Sequence, residues 1–128
     1  MIKPFPTRDK PKNKYGARAK ECRQGHTHRS EFEADHCNEL RARQKNREFY
    51  AYSVEREFKL IVNGALVCTH YPDFTILNEN KLPLAVEETK GKATAEWKIK
   101  LKLFKALNPA LPYTVFKKKK GSIIKETY

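Results

Sequence analysis

Pro72-Asp73 is followed, after fourteen intervening residues, by Glu88-Thr89-Lys90, and each group is set in an apolar, strand-like run. Two carboxylates and a lysine so spaced are the minimal equipment for a magnesium-dependent cut in a phosphodiester. Such hydrolysis needs an activated water, charge neutralisation on the phosphate and help for the leaving oxygen. A Mg²⁺ ion held by one or two carboxylates supplies much of this and keeps positions open for water and phosphate; Mn²⁺ is expected to substitute for it. Asp73 is the expected first ligand and Glu88 the second, and the Thr89 carbonyl adds a backbone oxygen. Residues two apart on a strand share a face. Glu88 and Lys90 therefore point the same way, with Lys90 placed to orient the attacking water or to stabilise charge developing on phosphorus. A compact ammonium suits that role better than a guanidinium, which stays protonated throughout.

The chain around this acid is strongly basic. In 128 residues, 27 Lys and Arg oppose 15 Asp and Glu, a formal net charge of +12. The expected partner is a polyanion rather than a small-molecule substrate, because Lys and Arg gain free energy by releasing counterions from phosphates. Charge alone would equally suit RNA or a basic ribosome-associated protein. The length fits one domain with a tail at either end. The start, Met1-Ile2-Lys3-Pro4, has no apolar stretch of the secretory kind, and no run approaches the roughly 18 apolar residues of a membrane span. With three cysteines, Cys22, Cys37 and Cys68, the expectation is a soluble cytoplasmic protein with reduced thiols and no membrane partner.

The elements that must position the acids follow from period and punctuation. Residues 1–25 read as a flexible basic arm broken by Pro4, Pro6 and Pro11. A folded domain follows over 26–116, and 117–128 reads as a basic tail opened by Lys117-Lys118-Lys119-Lys120. Within the domain, Ser30-Glu31-Phe32-Glu33 fits a capping box that opens a helix, with Phe32, Ala34, Cys37 and Leu40 facing inward. From Phe49 to Glu87 the period becomes two. Asn63-Gly64 predicts a type I′ hairpin turn after Phe58–Val62, with a return strand from Ala65 to Leu77 that Pro72 interrupts. Ala93 to Asn108 predicts a second helix with Trp97, Leu101, Phe104 and Leu107 on one stripe, and Tyr113–Phe116 a last strand. The expected fold is α/β, in the order α-β-β-β-α-β, with a mixed sheet flanked by two helices. Phosphate contacts are expected from Lys14, Arg18 and Lys20 on the arm, and from Lys92 just after the Glu-x-Lys. They are also expected from Lys98, Lys100, Lys102 and Lys105 on the second helix and from Lys117 and Lys118 on the tail.

The order αβββαβ with Pro72-Asp73 and Glu88-x-Lys90 resembles the PD-(D/E)XK nuclease superfamily, and so implies a restriction-endonuclease-like core. More closely it resembles a family of small phage-encoded endonucleases formerly classed as a domain of unknown function, similar to phage Holliday-junction resolving endonucleases. Lys14-Tyr15-Gly16, Ser30-x-x-Glu33-Ala34 and Lys100-x-Lys102-Leu103-Phe104-Lys105 match that family's pattern, and the resemblance spans residues 14–116. The chain departs from it in having Glu88-Thr89-Lys90 where the family usually has Asp-Val-Lys. The resemblance implies a nuclease domain over 26–116 and a Mg²⁺-dependent endonuclease of phage DNA processing or recombination. It implies branched DNA as substrate, a homodimer, and the cytoplasm of an infected or lysogenic bacterial host. It also gives Glu33 a role as a first-helix carboxylate reaching the metal or its waters; the capping box alone would instead turn Glu33 back to the N-cap amide, and Glu31 is the fallback.

Other readings compete. A nicking or general endonuclease of low specificity has the same site, and a non-catalytic nucleic-acid-binding module has the same charge. Cys22, His26 and His28, with His36 and Cys37 further on, offer enough ligands for zinc, but their spacing matches no standard pattern. Cys68 and His70 read as ordinary strand residues, Trp97 as core, and Glu87, on the opposite strand face from Glu88, as structural.

Overall fold

A computed structural model of the chain describes residues 20–22, 27–28 and 30–128. Most of the expected arm, including Lys14 and Arg18, lies outside them, and so does His26. Within its span, Lys20–Glu21 (β1) and Thr27–His28 (β2) pair as a two-residue antiparallel ladder, and Cys22 is buried. The first helix, α1 (Glu31–Lys45), begins where the capping signal puts it, the Ser30 hydroxyl accepting from the Glu33 amide at 3.1 Å. Five strands follow: β3 (Ala51–Val54), β4 (Phe58–Val62), β5 (Ala65–His70), β6 (Phe74–Leu77) and β7 (Pro83–Lys90). Then come α2 (Ala95–Leu107), β8 (Tyr113–Lys119) and β9 (Ser122–Thr127).

The result is an α/β fold around a mixed five-stranded sheet in the order β3-β6-β7-β8-β9, with β7 and β8 parallel and the other pairs antiparallel. One helix packs on each face. Ala34, Cys37 and Leu40 of α1 cover Phe74 and Ile76, while Trp97, Leu101 and Phe104 of α2 cover Val86, Tyr113 and Val115. The hairpin β4–β5 forms a sheet of its own beside α2, with Leu60 joining that core. Its turn has φ of 49° at Asn63 and 80° at Gly64, the left-handed pair a type I′ turn requires. No helix among the described residues is long and apolar enough to cross a membrane.

Several expectations change. The single return strand from Ala65 to Leu77 is two strands in two sheets, because Pro72 has no amide to give a ladder. The fully buried Pro72 is thus the corner where the chain leaves the hairpin and enters the main sheet. The boundary expected at 116 falls inside β8, and residues 117–128 fold back through Lys120-Gly121 (φ 50° and 81°) to pair along β8. On α1 the buried side takes in Glu33 and His36, whereas Phe32 is half-buried with the Lys118 ammonium 5.4 Å from its ring. Leu107, expected on the buried stripe of α2, is 38% exposed.

Alternation along β7 sends Glu87 and Glu88 to opposite faces. Glu87 meets α1, where His36 Nε2 lies 2.8 Å from Oε1 and Arg43 donates to both oxygens at 2.9 and 3.0 Å. Burial by itself would raise this carboxyl, but the His36 and Arg43 bonds outweigh it and hold Glu87 below the usual range. A depressed folded-state pKa gives stability that is present above the unfolded carboxylate range and lost as pH falls through the folded value. Glu87→Gln leaves Arg43 facing a neutral amide. It is expected to lower unfolding free energy by about 3 kcal/mol, the low end for a broken buried pair because Arg43 is partly solvated. Urea unfolding at pH 7 checks this, and the difference from wild type should shrink in acid.

Candidate active site

The register of β6 against β7 pairs Phe74 with Glu87, so Asp73, one residue before the strand, comes beside Glu88 and Thr89. Asp73 Oδ2 accepts two hydrogen bonds from Thr89, from the amide at 2.9 Å and from the hydroxyl at 3.0 Å. Thr89 therefore reaches the site through two donors that fix Asp73, a role separate from the carbonyl ligand expected of it. Burial first, and then the charges of Glu33 and Glu88, push the Asp73 carboxyl well above its ordinary range, against the two Thr89 bonds. Three carboxylates from α1, the β5–β6 corner and β7 thus act on one another.

Glu88 is buried and clamped from both sides. Trp97 Nε1 donates to Oε2 at 2.7 Å, and the Tyr113 hydroxyl donates to Oε1. Burial raises Glu88 more than Tyr113, Lys90 and Trp97 lower it. Lys90 Nζ lies 3.9 Å from Glu88 Oε2 and 4.9 Å from the Trp97 ring centroid, so the expected shared face of Glu88 and Lys90 is formed. Behind them, His70 Nε2 sits 2.8 Å from the Tyr113 hydroxyl. Tyr113 has one proton and gives it to Glu88, so His70 must donate from Nε2 and is the neutral tautomer with a bare Nδ1. Burial, with Lys100 and Lys90 nearby, pulls the His70 pKa down to about 4, in keeping with that neutral form.

These groups open into a cleft of about 720 Å³ between the β4–β5 hairpin and the N-terminal end of α2. Asp73, Glu88 and Lys90 line it together with His70, Trp97 and Lys100. Glu55, whose φ of 54° is left-handed, also lines it and donates its amide to the Asp73 carbonyl at 3.0 Å.

Glu33 approaches from the α1 side. Its amide completes the N-cap, but its carboxylate Oε2 turns to His28 Nδ1 at 2.8 Å instead of back to the cap. Its charge acts on both Asp73 and Glu88. The structure thus brings Asp73, Glu88 and Lys90 to one cleft, while Glu33, which does not line it, acts on the two acids through its charge. It distributes the expected phosphate-binding lysines differently. Lys100 lines the cleft, whereas Lys98 and Lys102 are exposed elsewhere on α2 and Lys105 is tied to the Leu111 carbonyl at 2.7 Å. Lys92 is exposed just past β7, Lys20 faces Asp35 at 3.4 Å, Lys117 pairs with Glu126 at 2.8 Å, and Lys118 is taken up with Phe32 on the α1 side.

Sequence reasoning missed His70, Tyr113 and the polar end of Trp97. Trp97 was legible only as core because its spacing is helical; nothing in that period reveals where an indole N–H will point. Tyr113 enters through the parallel register of β7 and β8, a long-range pairing with no local signal. Comparison with known proteins finds no family model, no curated protein and no solved structure that matches the chain.

Burial and like-charge crowding at Asp73 together make a sign-specific prediction. A carboxyl whose folded-state pKa is raised withdraws stability above its unfolded value, and the loss is relieved as pH falls. Asp73→Asn keeps an acceptor for Thr89 and removes the charge. It is expected to raise Tm at pH 7, and the gain should vanish as pH falls below the ordinary Asp value of 3.8, where both forms are neutral. A series of melting curves across this range reads it, and an unchanged or lower Tm at pH 7 contradicts the crowding.

Proposed function

We propose that this chain is a metal-dependent DNA endonuclease with a restriction-endonuclease-like core. The observation that carries the reading is the convergence of Asp73, Glu88 and Lys90 on one cleft at the adjoining ends of β6 and β7, with the Glu33 charge bearing on both acids, within an otherwise basic chain. The element order supports it. With the β1–β2 ladder, the β4–β5 hairpin and the last strand β9 taken as additions, the remaining order is α1, β3, β6, β7, α2, β8, which is αβββαβ.

The donor set suits a hard divalent cation: Asp73 and Glu88 face one cleft with the Glu33 charge behind them, and Asp73, pushed upward by burial and then by those charges, would gain from a shared positive charge. Asp73, Glu88 and Glu33 would hold Mg²⁺ or Mn²⁺, which would supply charge neutralisation and a more acidic bound water. Thr89 fixes Asp73 in orientation, and Trp97 and Tyr113 fix Glu88, each leaving lone pairs on the carboxylate oxygens. Lys90, held beside Glu88 and over Trp97, would orient water and stabilise charge on the scissile phosphate. Lys100 would meet a flanking phosphate at the cleft wall. Within the resemblance, branched DNA such as a four-way junction is the proposed substrate, cut by a homodimer in the cytoplasm of a phage-infected host.

A second reading has its own observation. Both oxygens of Glu88 already accept protein hydrogen bonds, which suits a nucleic-acid-binding module with an inert site. Cleavage of a four-way junction, a flap and a linear duplex with Mg²⁺ or Mn²⁺ separates the two. Asp73→Asn and Lys90→Ala are each expected to slow cutting on the order of 10²-fold or more, with the junction cut fastest. Cutting unaffected by both substitutions would remove this site from the chemistry. Equal cutting of duplex and junction would leave a general or nicking endonuclease, and tight binding without cutting would favour the module.

A further inference from the structure

Away from the cleft, on the α1 side of the sheet, Cys22, His28 and Cys37 come together. All are buried, and one ligand atom from each lies within 4.8 Å of the others. They arrive from three places: Cys22 follows β1, His28 lies in β2, and Cys37 sits on the inner side of α1. We propose that these residues form a zinc site that fastens the β1–β2 segment to α1. The proposal does not rest on the nuclease reading, since it uses none of the acids of the cleft as ligands.

Two thiols and one imidazole are borderline-soft donors of the kind that select zinc over magnesium or calcium. Around a tetrahedral zinc with bonds of about 2.0–2.3 Å, ligand atoms lie roughly 3.5–4 Å apart, so a small contraction of the observed cluster suffices. The imidazole is already set for this. Its Nδ1 is held by Glu33 Oε2 at 2.8 Å, which leaves Nε2 as the nitrogen turned to the thiols. A carboxylate behind the ring is the arrangement that fixes tautomer and orientation in metal-bound histidines. His28 and Cys37 both hydrogen-bond Cys22, so the three groups already converge. The Tyr52 hydroxyl donates to the Cys37 carbonyl oxygen at 3.3 Å and lies 3.3 Å from Cys37 Sγ, which holds the cysteine in place on α1.

The local fold also calls for a fastening. A two-residue ladder has almost no stability of its own, yet β1 and β2 are paired and packed against α1. On binding, Zn²⁺ replaces the two thiol protons, which pass to solvent, and an exogenous ligand such as water takes the fourth position. Because His28 also holds Glu33, zinc would position the carboxylate that α1 contributes to the acid cluster.

The test is metal content of the full chain, purified without chelator and measured by inductively coupled plasma mass spectrometry. About one zinc per chain is expected, lost in Cys22→Ser and in Cys37→Ser and kept in Cys68→Ser, which lies outside the cluster. Cobalt substitution should give the intense visible bands of a tetrahedral thiolate site in wild type and in Cys68→Ser only. Should the serine variants fail to fold, thiol labelling of wild type decides. Two of the three thiols should resist alkylation until a strong chelator is added. A folded wild-type chain that takes up neither metal, zinc retained in both Cys22→Ser and Cys37→Ser, or a Cys22–Cys37 disulfide in the reduced-buffer preparation overturns the proposal. None of these readouts depends on nuclease activity.

Discussion

Like charge gathered under cover is the constraint on which this structure turns. Burial disfavours the charged form of Asp73, and the charges of Glu33 and Glu88 both add to that cost. Nothing in hydrophobic packing favours that arrangement, so it must be held by directed bonds. Thr89 clamps Asp73 with its amide and hydroxyl, Trp97 and Tyr113 clamp Glu88, and His28 holds Glu33. Each clamp comes from a different element. Removing any one frees a charge to swing toward solvent, so the site depends on α1, β2, β7, α2 and β8 being assembled together.

The sheet makes this assembly possible by sorting consecutive residues of β7. Glu87 turns to α1 and is neutralised there by Arg43 and His36, while Glu88 turns to α2 and meets hydrogen-bond donors with Lys90 as the nearby cation. Two adjacent glutamates with the same intrinsic acidity thus end in opposite states: Glu87 is shifted down and Glu88 up. A one-residue slip of β7 would exchange them, placing the compensated acid in the cleft and the uncompensated one against Arg43. The antiparallel register with β6 and the parallel register with β8 guard against that slip, since they pair Glu87 with Phe74 and Glu88 with Val115.

What could be read from the sequence was whatever local chemistry determines. Ser30 as a cap, Asn63-Gly64 as a hairpin turn and the shared face of Glu88 and Lys90 all follow from residues within a few positions of one another, and all are found. The break at Pro72 was visible as a proline, but its consequence, a change of sheet, depends on what β6 finds to pair with. β9 was hidden behind four lysines. Its signals, Gly121 in the second turn position and Ile123-Ile124 beyond it, are weak beside a charge run that normally means a solvated tail. His70 and Tyr113 were illegible for a different reason: they are 43 residues apart and meet only because β5 and β8 converge behind Glu88. The inward turn of Glu33 and His36 also defeats patterning, which assigns charged and polar residues to the outer face of a helix.

The chain's charge distribution carries the same logic outward. The chain carries a net charge of +12, yet the cleft itself is lined by Asp73, Glu88, Glu55 and Glu96 against only Lys90 and Lys100. A phosphodiester drawn in by the surface would be repelled at the floor unless a cation stood between it and the carboxylates. On the proposed reading this is useful discrimination. The basic surface would raise local concentration without regard to sequence, while the acid floor would let a phosphate settle only where a divalent ion bridges it. A basic floor would hold any phosphate tightly and gain nothing further as charge develops. An acid floor with a bridging cation spends little binding on the ground state and leaves Lys90 to act where new charge appears.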